Sequence, residues 1–183
     1  MIILIGKTAS GKTLIREELI KKGYSGIITY TSRPIRKGEK QDVTYNFISE
    51  DEFKQKIDNN FFAEYKTYDT VFGKWYYGSA LEDLENAPDK SVIILTPEGY
   101  MDVVNKLSKK PTSVYIYANN STIKKRLKKR GDNKEEAQRR IEHDNKDFKN
   151  VENMVDKIVY NNDGANINDV VDKILKYVEV LNH

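Results

Sequence analysis

The sequence predicts an α/β fold, a parallel β-sheet with helices packed on both of its faces. Short apolar runs have the length and the β-branched composition of buried strands. These runs are residues 1–5, 91–95, 113–118 and 157–160. Each run precedes a segment with helical periodicity, and these segments are residues 13–22, 98–109, 121–130 and 167–181. Strands that alternate with helices form a parallel sheet, because each helix carries the chain back across the sheet.

Two segments interrupt this alternation. Residues 29–79 are rich in Tyr, Phe and Thr, and their short alternating runs predict a small antiparallel or mixed β-subdomain with one helix. The runs are residues 43–48, 61–67 and 74–77, and the helix lies near residues 50–58. Residues 119–149 are highly charged and helical, with a break at 131–133, which is typical of a mobile helical lid. The core of a single domain would then comprise residues 1–28, 80–118 and 150–183.

Composition indicates a globular protein without the residues for thiolate metal sites. Of the 183 residues, 38% are hydrophobic and 32% are charged. The absence of cysteine excludes disulfide scaffolds and thiolate metal sites, and the two histidines, His143 and His183, offer little imidazole ligation. The apolar start is too short for a signal peptide, and no other run approaches the length of a membrane span. We therefore expect a cytoplasmic protein without a membrane partner.

The charges are nearly balanced, with 31 basic and 28 acidic residues and a net charge of +3. Composition therefore does not indicate a nucleic-acid partner. Basic residues are concentrated at residues 33–40 and 124–130, and the ordinary interpretation of such runs is a solvated surface. The sequence carries no signal for an oligomeric state.

A glycine-containing loop lies between the first predicted strand and the first predicted helix. Its residues, Gly6-Lys7-Thr8-Ala9-Ser10-Gly11-Lys12-Thr13, fit the phosphate-binding pattern G-x-x-x-x-G-K-[ST] in the setting that this motif requires. Gly6, Ser10 and Gly11 would let backbone N–H groups approach an anion. Lys12 would bind the β- and γ-phosphates of ATP, and the Thr13 hydroxyl would ligate Mg²⁺. The alternative is a chance match in a turn rich in Gly and Lys.

This loop predicts the three-layer fold of P-loop NTPases, with the central parallel sheet, the inserted β-rich subdomain and the helical lid described above. It also predicts a nucleoside triphosphate as ligand. GTPase switches, motor ATPases and small kinases share the loop, so the rest of the chain must distinguish among them.

The segment from Thr29 to Glu39, TYTSRPIRKGE, resembles the T-T-R-x-P-R-x-G-E signature of guanylate kinases. The proline is shifted by one position, while the spacing between Arg33 and Arg36 is kept. Further similar motifs follow in the family's order, at residues 45–47, 51–53, 61–64, 76–79, 127–131, 140–141 and 156–161. The resemblance covers nearly the whole chain. It implies a nucleoside monophosphate kinase that phosphorylates GMP, or dGMP, with ATP and Mg²⁺.

The resemblance implies acceptor-binding roles for the matching residues. Arg33 and Arg36 would hold the GMP phosphate with hydroxyl groups from Tyr45 and Tyr77, and Glu64 would accept hydrogen bonds from the guanine N1–H and amino groups. Thr29, Ser79 and Glu98 would also face the base. These roles suit the residue types, because guanidinium forks bind phosphate dianions and a carboxylate matches two adjacent donors that adenine lacks.

The resemblance also assigns catalytic residues, which are Lys12, Arg126, Arg130 and Arg140. The three arginines would belong to the lid and close over the transferring phosphoryl group. Arg126 and Arg130 are one helical turn apart and therefore share a helix face.

The chain departs from the family's pattern at three places beside the site. Lys7-Thr8-Ala9 replaces Pro-Ser-Gly inside the phosphate loop, and about four additional residues lie between Glu64 and Tyr77, within residues 66–74. Thr96-Pro97-Glu98-Gly99 stands where the family has Asp-x-Asp before a glycine. Thr96 follows a core strand, so we expect its hydroxyl to bind a metal-bound water in place of a carboxylate; the alternative is that Thr96 simply ends the strand before Pro97.

Other interpretations stay open from the sequence. Arg33 and Arg36 could instead be exposed arginines of a loop. Glu64 could instead be a strand residue that points outward. For Tyr68 and Tyr76 we expect a purely structural role. At the level of function, the alternatives are a kinase of the same fold with another phosphorylated acceptor and a catalytically weak binding module of guanylate-kinase type. A nucleic-acid binder with basic runs and Tyr-rich strands is a third alternative, and strongly salt-dependent binding would reveal it.

Overall fold

A computed structural model describes residues 1–36, 38–70 and 73–181. Within them the chain forms, in order, β1 (Ile2–Ile5), α1 (Lys12–Lys21), β2 (Ser25–Gly26), β3 (Tyr30–Thr31), β4 (Asn46–Phe47), α2 (Glu50–Asp58), β5 (Phe62–Thr70), β6 (Gly73–Ala80), α3 (Leu81–Glu85), β7 (Ser91–Ile94), α4 (Pro97–Val104), β8 (Thr112–Tyr117), α5 (Asn120–Arg130), α6 (Lys134–Asp147), β9 (Lys157–Tyr160) and α7 (Ile167–Leu181). Lys37 of the basic run, residues 71–72 of the longer segment and His183 lie outside the described residues.

The central sheet is parallel, with the strand order β2-β7-β1-β8-β9. β1 lies in its middle, and Ile2 pairs with Val92 on one side and with Thr112 on the other. Side chains alternate between the two faces: Leu4 packs with helices α1 and α7, whereas Ile3 packs with α4 and the end of α6. Both faces are covered, so every residue of β1 is buried. The predicted α/β fold with a parallel sheet is confirmed.

Strands β3 to β6 form a second, mixed sheet in the order β4-β3-β6-β5. β5 and β6 make a long antiparallel hairpin, and β4 pairs with β3 in parallel. This confirms the inserted β-rich subdomain, but its strands differ in length from the predicted runs. The run at 43–48 contributes only Asn46–Phe47, because the chain turns just before it, with Asp42 at a φ of 57° and its N–H bonded to the Tyr45 carbonyl.

Some elements could not be recognised from periodicity, or end earlier than predicted. β2 and β3 have two residues each and α3 has five, too few to show a pattern. The helix expected to reach residue 109 ends at Val104. The Asn105 side chain donates to the Met101 carbonyl there, and Pro111 further on disfavours a helical residue before it.

The predicted helical lid is present as α5 and α6, with the expected break between them. Gly131 ends α5 in the left-handed conformation, with a φ of 80°, and Asn133 caps α6 by accepting hydrogen bonds from the N–H groups of Glu135 and Glu136. Ile123 and Leu127 of α5 pack with Ile141 of α6. The boundaries of the insert and lid, at 29–79 and 119–149, stay predictions. Among the described helices, none has the length and apolar character that crossing a membrane requires.

Candidate functional site

The loop between β1 and α1 has the backbone of an anion-binding site. Ala9 and Gly11 take positive φ values of 53° and 100°, which turn the chain tightly before the helix. A Cβ on Gly6 would lie 2.6 Å from the Ser10 hydroxyl oxygen and 2.8 Å from the Ile116 carbonyl oxygen, so only glycine fits there. Gly11 is the N-cap of α1, and with no side chain it leaves the first N–H groups of the helix open to a phosphate.

Lys12 lies with its ammonium group folded into this loop. Its Nζ donates hydrogen bonds to the carbonyl oxygens of Gly6, at 2.6 Å, and Lys7, at 2.8 Å. Burial lowers the pKa of Lys12 to about 8, and the nearby Arg130 acts in the same direction while Asp144 opposes it. At neutral pH the side chain is therefore still mainly cationic, as a ligand for phosphate oxygens must be.

A cleft of about 430 Å³ opens beside the loop, between α1 and α5. It is lined by Ala9, Gly11, Lys12, Thr13, Leu14, Arg126, Arg130, Asn161, Ala165 and Ile167. Arg126 is tied to the loop, because its guanidinium donates to the carbonyls of Ala9, at 3.1 Å, and Asn161, at 2.9 Å. The exposed Thr13 forms part of the wall. The cleft thus combines a phosphate loop with cationic side chains.

Two lid arginines meet at one carboxylate, that of Asp132. Arg130 binds it through two nitrogens, each at 2.5 Å, and Arg140 Nη1 lies 3.6 Å from Oδ2. The hydrogen bond from Arg130 lowers the pKa of Asp132, and the charges of Arg140 and Arg36 contribute to this shift. Arg36 belongs to the predicted acceptor site, so lid and acceptor cations surround the same anion. Sequence reasoning did not single out Asp132.

Arg33 is buried, with 4% of its side chain exposed, and is held by Glu39. Its two terminal nitrogens donate to the two carboxylate oxygens, at 2.7 and 2.5 Å, and its guanidinium lies 5.2 Å from the centre of the Tyr45 ring. The hydrogen bond from Arg33 lowers the pKa of Glu39. The alternative of an exposed loop arginine is wrong for Arg33. Arg36 is exposed, and its guanidinium lies 5.9 Å from the centre of the Trp75 ring.

The two tyrosines predicted to bind phosphate lie together beside these arginines. The rings of Tyr45 and Tyr77 are 6.1 Å apart, and both side chains are half-buried. Burial raises the pKa of Tyr45, so its hydroxyl stays a hydrogen-bond donor. Tyr76, on the opposite face of β6, packs with Phe53 and Phe62, which confirms its expected structural role.

Glu64 is buried at the inner end of the hairpin, where the bulge between Phe62 and Glu64 shifts the register. The Ser79 hydroxyl donates a hydrogen bond to Glu64 Oε1 at 2.6 Å. A Cβ on Gly99 would lie 2.9 Å from Glu64 Oε2, so the carboxylate reaches the first turn of α4 because residue 99 is glycine. Burial raises the pKa of Glu64, and the Ser79 hydrogen bond opposes this shift.

Three further residues singled out in the sequence, Glu98, Thr29 and Thr96, make other contacts. Glu98 is exposed on α4 and forms an ion pair with Lys66, two residues beyond Glu64 on β5. Thr29 is half-buried at the entrance to β3, where its carbonyl accepts the Asn46 N–H. The Thr96 hydroxyl caps α4 by accepting the Gly99 N–H at 3.0 Å. Its predicted role toward a metal-bound water stays a prediction.

The lid helix α6 touches the phosphate loop through residues that sequence reasoning missed. The Asp144 carboxylate accepts the Thr8 N–H, and the Asn145 side chain accepts Lys7 Nζ at 2.7 Å. Asp144 lies three residues after the buried Ile141, so counting along the helix face would have placed it toward the interior. Burial raises the pKa of Asp144.

A family model described as Guanylate kinase matches residues 1–180. The chain belongs to the guanylate kinase family. A guanylate kinase of Sulfurimonas denitrificans is 34% identical over 159 residues, covering 82% of this chain and 75% of its own. One from Prochlorococcus marinus is 30% identical over 185 residues, with coverage of 98% and 96%. A guanylate kinase crystal structure from Anaplasma phagocytophilum shares the fold, with a TM-score of 0.71 at 19% identity, and covers 98% of this chain and 85% of that one.

The residues that match the family's pattern can now be located in the structure. The structure brings Lys12, Thr13, Arg126 and Arg130 together around the cleft. On the other side it gathers Arg33, Arg36, Tyr45 and Tyr77. Glu64 and Ser79 meet in a buried pair, whereas Arg140 lies with Asp132 and Glu136 on the lid. The residues predicted for the site therefore lie in three groups, at the cleft, around Arg33 and at the Glu64–Ser79 pair, and α6 contacts the phosphate loop.

Proposed function

We propose that the protein transfers the γ-phosphoryl group of ATP to GMP. The observation that carries the proposal is the buried Glu64 carboxylate, fixed by Ser79 and lying on the same hairpin as Tyr77. A buried carboxylate with one hydrogen bond requires donors, and guanine presents two of them on adjacent atoms. Adenine would leave the Glu64 charge unsatisfied, which is costly in a buried pocket.

The acceptor phosphate would be held further along the same face of the hairpin, beside Tyr77. Glu39 fixes the guanidinium of Arg33 in its buried position, and the exposed Arg36 lies within electrostatic reach of Asp132 on the lid. Guanidinium groups bind phosphate oxygens with charge-assisted hydrogen bonds, and tyrosine hydroxyls donate further ones. Arg33, Arg36, Tyr45 and Tyr77 are thus proposed as phosphate ligands.

Transfer itself requires alignment and charge neutralisation more than a strong base. Lys12 and the N–H groups of the loop would hold the phosphates of ATP. Arg126, Arg130 and Arg140 would neutralise the charge that spreads over the transferring group. In this proposal the Asp132 carboxylate marks the position of an anion among cations, because arginines from the lid surround it and Arg36 lies within electrostatic reach.

Mg²⁺ is proposed to accompany ATP rather than to reside in the protein. The described residues contain no group of three or more His, Asp or Glu side chains arranged to hold a metal ion. This fits Mg²⁺, which takes one or two protein oxygens and completes its shell with phosphates and water. Thr13 would supply the hydroxyl, and the bound ion would offset negative charge on the phosphates.

A coupled kinase assay tests the proposal. We expect ATP and Mg²⁺ to support phosphorylation of GMP, with dGMP as a second acceptor in the panel and little turnover of AMP, CMP, UMP or sugar phosphates. Lys12→Ala should reduce turnover by orders of magnitude. The matched control is Lys21→Ala, which removes an exposed lysine from the same helix. Activity of Lys12→Ala equal to that of the wild type would contradict the proposal, and so would a preferred acceptor without guanine.

A further inference from the structure

One face of the β5–β6 hairpin continues the acceptor site outward. Glu64 pairs with Ser79, and Lys66 pairs with Tyr77. Directly paired residues of an antiparallel ladder lie on the same face, and the face alternates along each strand. Tyr68, two residues beyond Lys66, therefore shares the face that carries the proposed substrate-binding residues.

Burial along β5 follows the same alternation. Tyr65, Thr67 and Asp69 are exposed, whereas Lys66 and Tyr68 are half-buried. Tyr68 is covered from two sides. Its ring centre lies 5.6 Å from that of Tyr77, at an interplanar angle of 80°, and 6.4 Å from that of His143 on α6. The expectation that Tyr68 is only structural does not account for a contact that joins the acceptor hairpin to the lid.

The same turn of α6 also contacts the phosphate loop. His143 meets Tyr68, and the next two residues, Asp144 and Asn145, bind Thr8 and Lys7 of the loop. His143 is oriented by Asp147, whose carboxylate oxygen lies 3.0 Å from Nδ1. A displacement of this turn would therefore change contacts both with the phosphate loop and with the acceptor hairpin.

The Tyr68 hydroxyl keeps its proton in this setting. Burial raises the pKa of Tyr68 to about 12, and the carboxylates of Asp147 and Glu64 act in the same direction. The side chain is thus a neutral ring that packs between groups of the lid and of the acceptor pocket.

We propose that Tyr68 is a positioning residue that couples occupation of the acceptor site to the placement of the lid over the phosphate loop. GMP would restrain the hairpin through its contacts with Glu64 and Tyr77. The restrained Tyr68 would then hold α6 in place through its contact with His143. The two substrates then bind more tightly together than separately, because each one orders a contact that the other needs. The inference rests on the proposed function, since it requires GMP and ATP as the two ligands.

Calorimetric titration of the full-length protein with GMP, with and without a non-hydrolysable ATP analogue and Mg²⁺, tests the coupling. In the wild type we expect the analogue to lower the Kd of GMP several-fold. Tyr68→Ala should bring this factor close to one, because the loss of an aromatic pair corresponds to about two- to tenfold in affinity, and the Kd of GMP alone should change less than the Kd measured with the analogue. Tyr68→Phe should restore the factor, because it keeps the ring. Tyr65→Ala, on the exposed face of the same strand, should leave it unchanged.

His143→Ala provides a second, independent test, because it removes the partner from a solvent-accessible position on α6. It should lower the coupling factor as much as Tyr68→Ala does, and the double variant should lower it no further. An unchanged factor in both single variants, or a wild type that binds GMP without any effect of the analogue, would overturn the inference alone. A wild type that does not bind GMP would overturn the proposed function together with the inference.

Discussion

The backbone N–H of Thr8, in the phosphate loop, donates a hydrogen bond to the carboxylate of Asp144, 2.6 Å away on the lid helix. The same carboxylate favours the charged form of Lys12. An anionic side chain thus lies at the mouth of a loop whose ligand is itself anionic. The lid is attached to the loop by a group that competes electrostatically with phosphate.

We predict that Asp144→Asn increases the affinity for ATP. Asparagine keeps an acceptor oxygen for the Thr8 N–H but removes the negative charge, so the repulsion of incoming phosphates falls. The KM for ATP should drop by about three- to tenfold, since two charges at short range near a protein surface interact by a few kcal/mol before solvent screening. Steady-state kinetics at saturating GMP measure the change. Glu142→Gln, an exposed position on the same helix, is the control, and an equal or higher KM in Asp144→Asn would refute the prediction.

A second prediction concerns base selection by Glu64. Glu64→Gln replaces one acceptor by a donor that faces the guanine donors, so the preference for GMP over AMP should shrink by about 1–3 kcal/mol. The measurement is kcat/KM for both acceptors. Glu98→Gln should change this ratio less, because Glu98 is exposed and paired with Lys66. If Glu98→Gln has the larger effect, Glu98 rather than Glu64 reads the base.

Glu64→Gln should also stabilise the fold at neutral and alkaline pH. Burial raises the pKa of Glu64, so the folded state holds the proton more tightly than the unfolded chain does. The free energy of unfolding therefore falls as pH rises from the usual carboxyl pKa, about 4.3, through the raised value. Above this window Glu64→Gln should have a Tm higher by about 2–4 °C, corresponding to about 1 kcal/mol, and the difference should vanish below pH 4.

Thermal unfolding monitored by circular dichroism across pH checks this prediction. The control is Glu17→Gln, which makes the same chemical change at an exposed position on α1. A Tm of Glu64→Gln below that of the wild type at pH 8 would show that the Ser79 hydrogen bond outweighs the burial of the charge.

Glu39→Gln should destabilise the protein strongly for a change at a loop residue. Arg33 would keep its charge in a buried position without a charged partner, at a cost of about 2–4 kcal/mol. Glu50→Gln, which breaks an exposed pair with Lys54 on α2, should cost far less, because water screens that pair. Urea denaturation at neutral pH compares the two variants.

The difference in the free energy of unfolding between the wild type and Glu39→Gln should depend on pH. The Arg33 hydrogen bond lowers the pKa of Glu39, so its stabilising effect is complete above the usual carboxyl pKa and is lost as pH falls through the lowered value. The difference between wild type and Glu39→Gln should therefore narrow in acid. A difference that stays constant down to the most acidic condition would mean that the ion pair is not its cause.

The elements and residues that were predictable are those with local signals. The phosphate loop follows from its eight-residue pattern, and α2 and α7 follow from helical periodicity, with the predicted bounds of residues 50–58 and 167–181. The position of Glu64 beside Ser79 depends on the bulge and the register of the hairpin, which arise from pairing between strands.

Contacts between distant segments left no such signal. Asp144 lies in a helix whose acidic and basic residues alternate, which is the composition of a solvated surface, yet it bonds a residue 136 positions away. For Asp132 the sequence predicts only a turn between two helices. The packing of the lid onto the loop places Asp144 near Lys12, whereas Asp132 is held at the turn between α5 and α6 by Arg130 and Arg140.

Trp75 has a practical consequence, because it is the chain's single tryptophan and it faces the guanidinium of Arg36. Indole emission responds to nearby charge, and the contact between a cation and the indole ring changes when that cation turns toward an anion. If Arg36 binds the acceptor phosphate as proposed, excitation of this one fluorophore would report on that binding without any label. The time course of Trp75 emission in a stopped-flow experiment would then show how fast Arg36 moves from the indole ring to the proposed phosphate.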